Sequence, residues 1–184
     1  PGLCAGRAQY DAPMTSHPEP TGLLERAETG VDLVLERVLD VPIDDVWDSL
    51  TISERTARWY GTWAGTPGAG SAVRVTMGFE EGAPASDLTI LACDAPRFLA
   101  LESDGWTFDV TLRAAGDGTT LTFRHHLTTT DGLGDIGPGW EYYLDMLVST
   151  QGNGWSPSFD DYPPSQCGYY GSLSPGARGS ARCC

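Results

Sequence analysis

The sequence lacks the features that would place it in a membrane or on nucleic acid. It has no run of about 18 consecutive apolar residues, the length that a membrane-spanning helix needs. Its first thirty residues contain no basic segment followed by a hydrophobic one, the pattern of a secretory signal. Basic residues are also scarce, with 11 Lys and Arg against 25 Asp and Glu, so the net charge is −14. Because such a chain repels phosphate backbones and anionic lipids, we expect no nucleic-acid partner and no membrane insertion.

Recognisable sites for metals, phosphates and covalent catalysis are missing as well. The five cysteines, Cys4, Cys93, Cys167, Cys183 and Cys184, are an odd number without paired metal-binding spacing. The sequence contains no phosphate-binding loop and no Gly-x-Ser-x-Gly nucleophile motif. We therefore expect no metal site and no cofactor, with free thiols in a reducing, cytoplasmic environment.

Composition divides the chain into three parts. Residues 1–30 mix Gly, Pro, Ser and charged residues without periodicity, which predicts a flexible N-terminal arm, and the residues before Met14 could be an upstream extension or an expression remnant. Residues 31–152 carry regular apolar patterns and form the predicted domain. Residues 153–184 form a C-terminal tail that we expect to dock up to about Tyr170 and to be disordered beyond it, because the last residues have nothing large to bury.

Alternating apolar residues predict an antiparallel sheet of six strands. The predicted strands cover residues 32–41, 72–79, 87–93, 97–103, 106–113 and 119–128. Turn residues separate them, and Gly116, Asp117 and Gly118 are typical of a hairpin turn. One face of each strand is apolar and the other carries Thr, Arg, Asp or Ser, so one side of the sheet must be covered.

Helical spacing of apolar residues predicts three helices around this sheet. Two short helices are expected over residues 43–50 and 54–60, with Ser53 as the cap of the second. A longer helix is expected to begin near Pro138, because the apolar residues that follow recur at i, i+3, i+4 and i+7. Glu141 would lie near the start of this helix, where negative charge suits the helix dipole.

The order of these elements resembles the helix-grip fold of the START-like or Bet-v-1-like superfamily, also called SRPBCC. Local motifs in residues 35–42, 46–51, 58–61 and 137–144, with a weaker echo in residues 159–162, look like those of bacterial homologues of the heat shock protein 90 ATPase activator. The resemblance covers about residues 31–150. It implies an α+β fold in which a curved six-stranded antiparallel sheet surrounds a long C-terminal helix, with two short helices after the first strand and a cavity between sheet and long helix.

The candidate ligand-binding residues are those that these patterns turn toward the cavity. They are Arg37, Trp59, Met77, Phe79, Ile90, Leu99, Trp106, Phe108, Phe123, His125, Trp140, Tyr143, Leu144 and Leu147. For any single apolar residue of this set, ordinary core packing is the alternative to ligand contact. Several of these side chains are large, so a small or partly collapsed cavity is also compatible with the sequence.

Two residues of this set are polar and lie on the buried face of the predicted sheet. Because an unpaired buried charge costs several kcal/mol, Arg37 is expected to pair with a carboxylate such as Glu102 or Asp145, or to orient an acidic ligand. His125 should face inward and His126 should face solvent. His125 is then either a hydrogen-bonded structural residue or a group that contacts ligand or transfers a proton.

Three functions are compatible with the resemblance. The first is non-catalytic binding of a small apolar ligand, lipid-like or polyketide-like, with Arg37, His125 or Tyr143 orienting its polar end. The second is a cyclase or dehydratase in which His125 or Tyr143 moves protons. The third is an interaction protein that stimulates a chaperone ATPase through its surface. Exposed strand edges would also permit a homodimer.

Overall fold

The computed structural model describes residues 18–152 and 155–173. One antiparallel sheet contains eight strands: β1 (Leu23–Arg26), β2 (Val31–Leu39), β3 (Gly61–Ala64), β4 (Ala72–Met77), β5 (Ala85–Asp94), β6 (Phe98–Ser103), β7 (Trp106–Ala115) and β8 (Gly118–Leu127). The helices are α1 (Ile43–Thr51), α2 (Ser53–Thr56), α3 (Leu133–Ser149) and α4 (Tyr162–Ser172), with a 3-10 turn at Phe159–Asp161. None of these described helices is long and apolar enough to cross a membrane.

The sheet runs in the order β1-β2-β8-β7-β6-β5-β4-β3. β2 and β8 pair over nine residues, and β7 and β8 form a hairpin whose turn lies at Gly116, as predicted, with φ 63°. Alternation then places Leu33 and Leu35 of β2 on the covered face, in one core cluster with Leu144 and Leu147 of α3. The predicted α+β helix-grip class is therefore confirmed, with a sheet larger than the six strands expected.

β1 and β3 are the two strands that the sequence patterns did not reveal. β1 pairs with β2, so Leu23–Arg26 belongs to the sheet and not to the flexible arm predicted for residues 1–30. Residues 1–17 lie outside the described residues. β3 pairs with β4 directly after α2. Each of the two strands has only four residues and lies at one end of the strand order, so neither shows a clear alternation.

Two helix starts differ from the predictions. α3 begins at Leu133 rather than near Pro138, and the preceding Gly132 has a φ of 74°, which favours glycine. Ser53 is the first residue of α2 and not its cap. Its Oγ donates to the carbonyl oxygen of Trp63 and accepts from the amide of Trp63, both at 2.8 Å, because β3 lies beside α2.

Helix α4 packs tightly along the first half of α3. Gly137 is required there, because a Cβ at this position would overlap the ring of Tyr170. A Cβ at Gly134 would lie 3.4 Å from the carbonyl oxygen of Cys167, so small residues on α3 permit the close approach. The prediction for the end of the tail, residues 174–184, lies outside the described residues.

Candidate functional site

A cleft of about 810 Å³ opens where the start of α3 faces the loops that join β4 to β5 and β6 to β7. It is lined by Tyr60, Met77, Glu80, Pro84, Ala85, Ser86, Ser103, Asp104, Trp106, Phe108, Gly132, Asp135, Ile136, Gly139, Trp140 and Tyr143. Five of these residues are aromatic, and three are carboxylates. The volume falls within the ~300–1,000 Å³ typical of small-molecule sites.

A smaller and less open cavity of about 80 Å³ lies deeper, between α3 and the sheet. Its walls include Tyr60, Phe108 and Trp140, which also line the cleft. The cavity is small because large side chains such as Trp59 and Phe123 project into the same space. The deep cavity that the resemblance implies is thus mostly filled, and the larger open volume is the cleft at its mouth.

A third void, a groove of about 320 Å³, lies beside α1 and the far strands of the sheet. It is lined mainly by apolar residues, among them Trp47 and Ile90. Leu50, Trp63 and Leu99 form walls of both the groove and the inner cavity. Cleft, cavity and groove therefore adjoin one another along the covered face of the sheet.

Two tyrosines and a glutamate form one polar cluster on the wall of the cleft. Tyr143 Oη donates to Glu80 Oε1 at 3.0 Å, and the ring of Tyr60 meets that of Tyr143 edge-on at 5.1 Å. Burial, reinforced by the charge of Glu80, raises the pKa of Tyr60 to about 12 and also raises the pKa of Tyr143. Both phenols stay protonated at neutral pH, so they act as hydrogen-bond donors and Glu80 as the acceptor.

His125 lies behind the cleft wall rather than in it. It is 1% exposed, and its Nδ1 accepts a hydrogen bond from Trp140 Nε1 at 3.1 Å. Burial, and to a smaller extent the neighbouring His126, lowers the pKa of His125 to about 4. The ring of Trp106 lies 4.7 Å from the imidazole. His125 is therefore a neutral side chain that holds the two tryptophans of the wall in place.

His126 lies on the opposite face of β8, as predicted. Its Nδ1 meets Asp32 Oδ1 and its Nε2 meets Asp109 Oδ2, both at 2.8 Å. Burial opposes the charged form, but the hydrogen bonds and charges of the two carboxylates outweigh it and raise the pKa of His126. His126 thus joins β2, β8 and β7 on the outer face of the sheet.

Arg37 lies outside all three voids, on another side of α3. Its Nε donates to Asp145 Oδ1 at 2.7 Å and its Nη1 to Thr21 Oγ1 at 2.9 Å. Pairing with Asp145 is as predicted, whereas Glu102 accepts from the Gly105 amide at 3.0 Å instead. Arg37 therefore does not line the cleft, the inner cavity or the groove. It lines a separate surface pocket of about 450 Å³, and its Nε and Nη2 form ion pairs with Asp145 and Glu141.

Glu141 is the centre of this network. It is 1% exposed and accepts hydrogen bonds from Arg37, the Tyr170 hydroxyl, the Thr21 amide and the Gly22 amide, the last at 3.0 Å. It is the ninth residue of α3, so its interpretation as a helix-dipole charge is wrong. The network connects the segment before β1, strand β2, α3 and α4, and its role is structural.

Ten of the fourteen predicted residues lie on a wall of the cleft, cavity or groove: Trp59, Met77, Ile90, Leu99, Trp106, Phe108, Phe123, Trp140, Tyr143 and Leu144. Arg37 and His125 line none of these three voids. Phe79 is also excluded, because β4 ends at Met77 and Phe79 is 39% exposed beyond it. Leu147 is fully buried in the core and lines none of the three voids. Ligand binding by the ten wall residues stays a prediction.

The wall residues absent from that set lie mostly at the ends of elements and in loops. Glu80 and Asp104 lie in loops, and Tyr60 lies between α2 and β3. The adjacent aromatic residues Trp59 and Tyr60, directly before Gly61, are the sequence signal that could have identified Tyr60 as a wall residue. Within residues 18–152 and 155–173, no group of three or more His, Cys, Asp or Glu side chains could hold a metal ion.

Comparisons with known proteins place this geometry in a family. The family described as Activator of Hsp90 ATPase homolog 1-like protein matches residues 40–152. The structure of CalU16 from Micromonospora echinospora is 24% identical, with a TM-score of 0.68, and the match covers 84% of this chain and 97% of that chain. No curated protein sequence matches this chain.

Two further solved structures share the fold. DynU16, described as a protein in the dynemicin biosynthetic locus, is 20% identical over 67% of this chain and 48% of that chain, with a TM-score of 0.59. The Aha1 dimer from Colwellia psychrerythraea is 15% identical over 68% of this chain and 98% of that chain, with a TM-score of 0.57. The family match spans more than half of the chain and agrees with the motifs found in the sequence, so this protein belongs to the Activator of Hsp90 ATPase homolog 1-like family of the START-like superfamily.

Proposed function

We propose that this protein binds a small, largely apolar molecule in the cleft and the adjoining inner cavity. The observation that carries the proposal is the cleft itself, about 810 Å³ in volume and walled by five aromatic residues. One of them, Trp106, is 46% exposed. A ligand in the cleft would therefore bury aromatic surface that now faces solvent. A concave aromatic surface of this size is typical of ligand sites.

The wall is held in place before any ligand arrives. Trp140 is fixed by its hydrogen bond to His125, and Tyr143 is fixed by its hydrogen bond to Glu80. A ligand that buries about 300 Å² of apolar surface would gain roughly 7 kcal/mol from burial, before the cost of association is subtracted. Because little rearrangement of the wall is needed, the part of that cost that comes from ordering side chains stays low.

Similarity to one protein from a biosynthetic locus supports a small-molecule ligand. DynU16 shares the fold and is described as lying in the dynemicin biosynthetic locus. Such a setting favours a small organic molecule over a macromolecular partner. The strongly acidic chain, with a net charge of −14, is also a poor partner for nucleic acid.

Native mass spectrometry followed by organic extraction tests this function on the full chain. We expect a small molecule at near-stoichiometric amount, or a thermal shift with members of an apolar library. Trp106→Ala should weaken binding, whereas Leu91→Ala should not, since Leu91 is similarly exposed, at 47%, but lines none of the three voids. No released molecule and no thermal shift would overturn the proposal, as would equal binding by the two variants.

A cyclase-type activity is a second candidate, and the contacts of Glu80 favour it. Glu80 is placed to act as a general base, with Tyr143 and Tyr60 as donors beside it. His125 suits proton transfer less well, since it is buried behind Trp140 and hydrogen-bonded to it. In an enzyme of this type, Glu80→Gln would abolish turnover while ligand binding persists; binding without any turnover by the native protein would exclude the candidate.

Chaperone stimulation and homodimer formation stay predictions. Neither draws on the cleft, and the dimer in the comparisons is a property of the Colwellia protein. A chaperone ATPase assay tests the first, and sedimentation of the full chain tests the second. Variants of the cleft wall should leave both results unchanged.

A further inference from the structure

We propose that the ligand of the cleft is cationic: an apolar, preferably aromatic body that carries a protonated amine. The inference rests on the proposed function and names the chemical class of its ligand. Glu80, Asp104 and Asp135 line the cleft, and none of its sixteen lining residues is Lys, Arg or His. The concave wall therefore presents carboxylates and aromatic rings without any compensating positive charge.

Glu80 is the best placed of these carboxylates. Its Oε1 is held by the Tyr143 hydroxyl at 3.0 Å, so the carboxylate has a defined position on the wall. Among the described residues, no other group donates a hydrogen bond to the Glu80 carboxylate, and none forms an ion pair with it. Its second oxygen is thus free to accept from an ammonium group, and such charge-assisted hydrogen bonds are about twice as strong as neutral ones.

Four other carboxylates of the sheet and of α3 have partners inside the protein. Glu141 and Asp145 pair with Arg37, and Asp32 and Asp109 pair with His126. These four acids are balanced by a cation or a histidine inside the protein. The acids of the cleft have no ion-pair partner among the described residues, so a positive charge supplied by the ligand would complete the site.

The aromatic walls favour the same ligand. Trp106, Tyr60, Trp140 and Tyr143 surround the cleft, and the negative face of an aromatic ring attracts a cation within about 6 Å. A cleft with low-dielectric walls also concentrates the field of its charges. An acidic ligand, such as a fatty acid, would instead be repelled by the three carboxylates and would find Arg37 already engaged outside the cleft.

The test uses three naphthalene probes that differ only in charge: naphthylmethylamine, naphthylmethanol and naphthoate. Their affinities for the full chain are measured by fluorescence titration at neutral pH and fixed ionic strength. We expect the amine to bind about tenfold more tightly than the alcohol, and naphthoate to bind most weakly. Loss of alcohol binding in Trp106→Ala would locate the probes in the cleft.

A matched pair of variants separates the cleft from the overall acidity of the chain, whose net charge is −14. Glu80→Gln should reduce the amine-to-alcohol affinity ratio by about threefold to tenfold. Glu54→Gln removes the same charge from α2, outside the cleft, and should leave the ratio unchanged. An equal reduction in both variants would overturn the inference, because it would trace the preference to bulk charge.

The remaining outcomes distinguish this inference from the proposed function. If the alcohol binds in the cleft and the amine binds no more tightly, the cationic ligand is excluded while apolar binding stands. If naphthoate binds most tightly, the inference is likewise wrong. If none of the three probes binds, both the inference and the proposed function fall.

Discussion

The two sides of helix α3 differ in their packing: one side is filled with hydrogen-bonded and ion-paired groups, and the other borders open volume. On one side, the buried Glu141 and the half-buried Asp145 accept hydrogen bonds from Arg37, Tyr162 and Tyr170. We call this side the clamp. The other side, with Trp140, Tyr143 and Leu144, faces the cleft and inner cavity and leaves volume unfilled.

The comparison teaches how one helix can serve both stability and binding. Unfilled volume costs stability, since the lining atoms lose packing partners. The clamp fixes α3 through strand β2 and helix α4, so the side that faces the sheet does not need to be fully packed. Variants of the clamp should therefore act on stability and variants of the cleft wall on affinity.

The largest effect is expected from breaking the clamp at its centre. Glu141→Ala leaves the Arg37 guanidinium with Asp145 as its one remaining carboxylate, so the free energy of unfolding should fall by about 3–5 kcal/mol, measured by chemical denaturation. The double variant Arg37→Met with Glu141→Ala should lose less, because the one carboxylate left without its cation, Asp145, is only half-buried and keeps its hydrogen bond from Tyr162. A double variant less stable than Glu141→Ala would show that the network is not acting as an ion pair.

A methyl group at the helix–helix contact should have the next largest effect. Gly137→Ala forces a Cβ into the ring of Tyr170 and should lower the free energy of unfolding by about 3 kcal/mol. Gly139→Ala is the matched control on the same helix, since its Cβ would meet no atom within 4 Å. It should be neutral or stabilise α3 by up to about 1 kcal/mol. Equal effects of the two substitutions would contradict the close packing of α4.

Acidic pH should lower the stability of the protein, because His125 is buried in its neutral form behind the cleft wall. Burial lowers the folded-state pKa of His125 to about 4, whereas the unfolded chain has the ordinary value of about 6.5. Below pH 6.5 the unfolded state therefore binds a proton that the folded state does not, and stability falls as the pH approaches 4. The contribution of His125 should be about 2 kcal/mol smaller at pH 5 than at pH 7.

The variant His125→Gln isolates this contribution. Urea denaturation at the two pH values should show a smaller loss of stability in the variant than in the native protein. His126 has a raised pKa and titrates with the opposite sign, but it is present in both proteins and cancels in the difference. An unchanged pH dependence would mean that His125 is protonated in the folded state.

The smallest effect on stability is expected at the cleft. Tyr143→Phe removes the hydroxyl that holds the exposed Glu80, and the free energy of unfolding should change by less than about 1 kcal/mol. The affinity for naphthylmethylamine should fall about threefold, because Glu80 is no longer positioned, while that for naphthylmethanol stays constant. A large loss of stability would contradict this prediction, because it would mean that Tyr143, like the clamp, mainly stabilises the fold.

The sequence predicts the long strands well and the short ones poorly. β2, β7 and β8 have nine or ten residues, so their alternation is visible in the sequence. β1 and β3 have four, and their pairing is decided by neighbours distant in the chain. The start of α3 does not follow from the sequence, because Gly134, Gly137 and Pro138 are poor helix formers. The two glycines are nevertheless helical, and they allow α4 to approach closely.

The same reasoning applies to the candidate site. Wall residues such as Phe108 and Leu144 follow from periodicity, because they lie within regular elements. Glu80 does not, since it lies in a loop whose position depends on the complete sheet. The pairing of Arg37 with Asp145 was predictable from the cost of a buried charge, but the role of Glu141 required the position of Tyr170 on α4.

The composition of the clamp bears on where this folding unit begins and ends. The family match covers residues 40–152, which include the acceptors Glu141 and Asp145. Every side-chain or amide donor to these two carboxylates lies outside that stretch, in residues 21–37 and 162–170. A protein trimmed to the matched residues would retain two acids beside α3 and lose all their partners. We therefore expect the folding unit to extend beyond the matched residues, so that expression of the isolated family region should yield an unfolded chain.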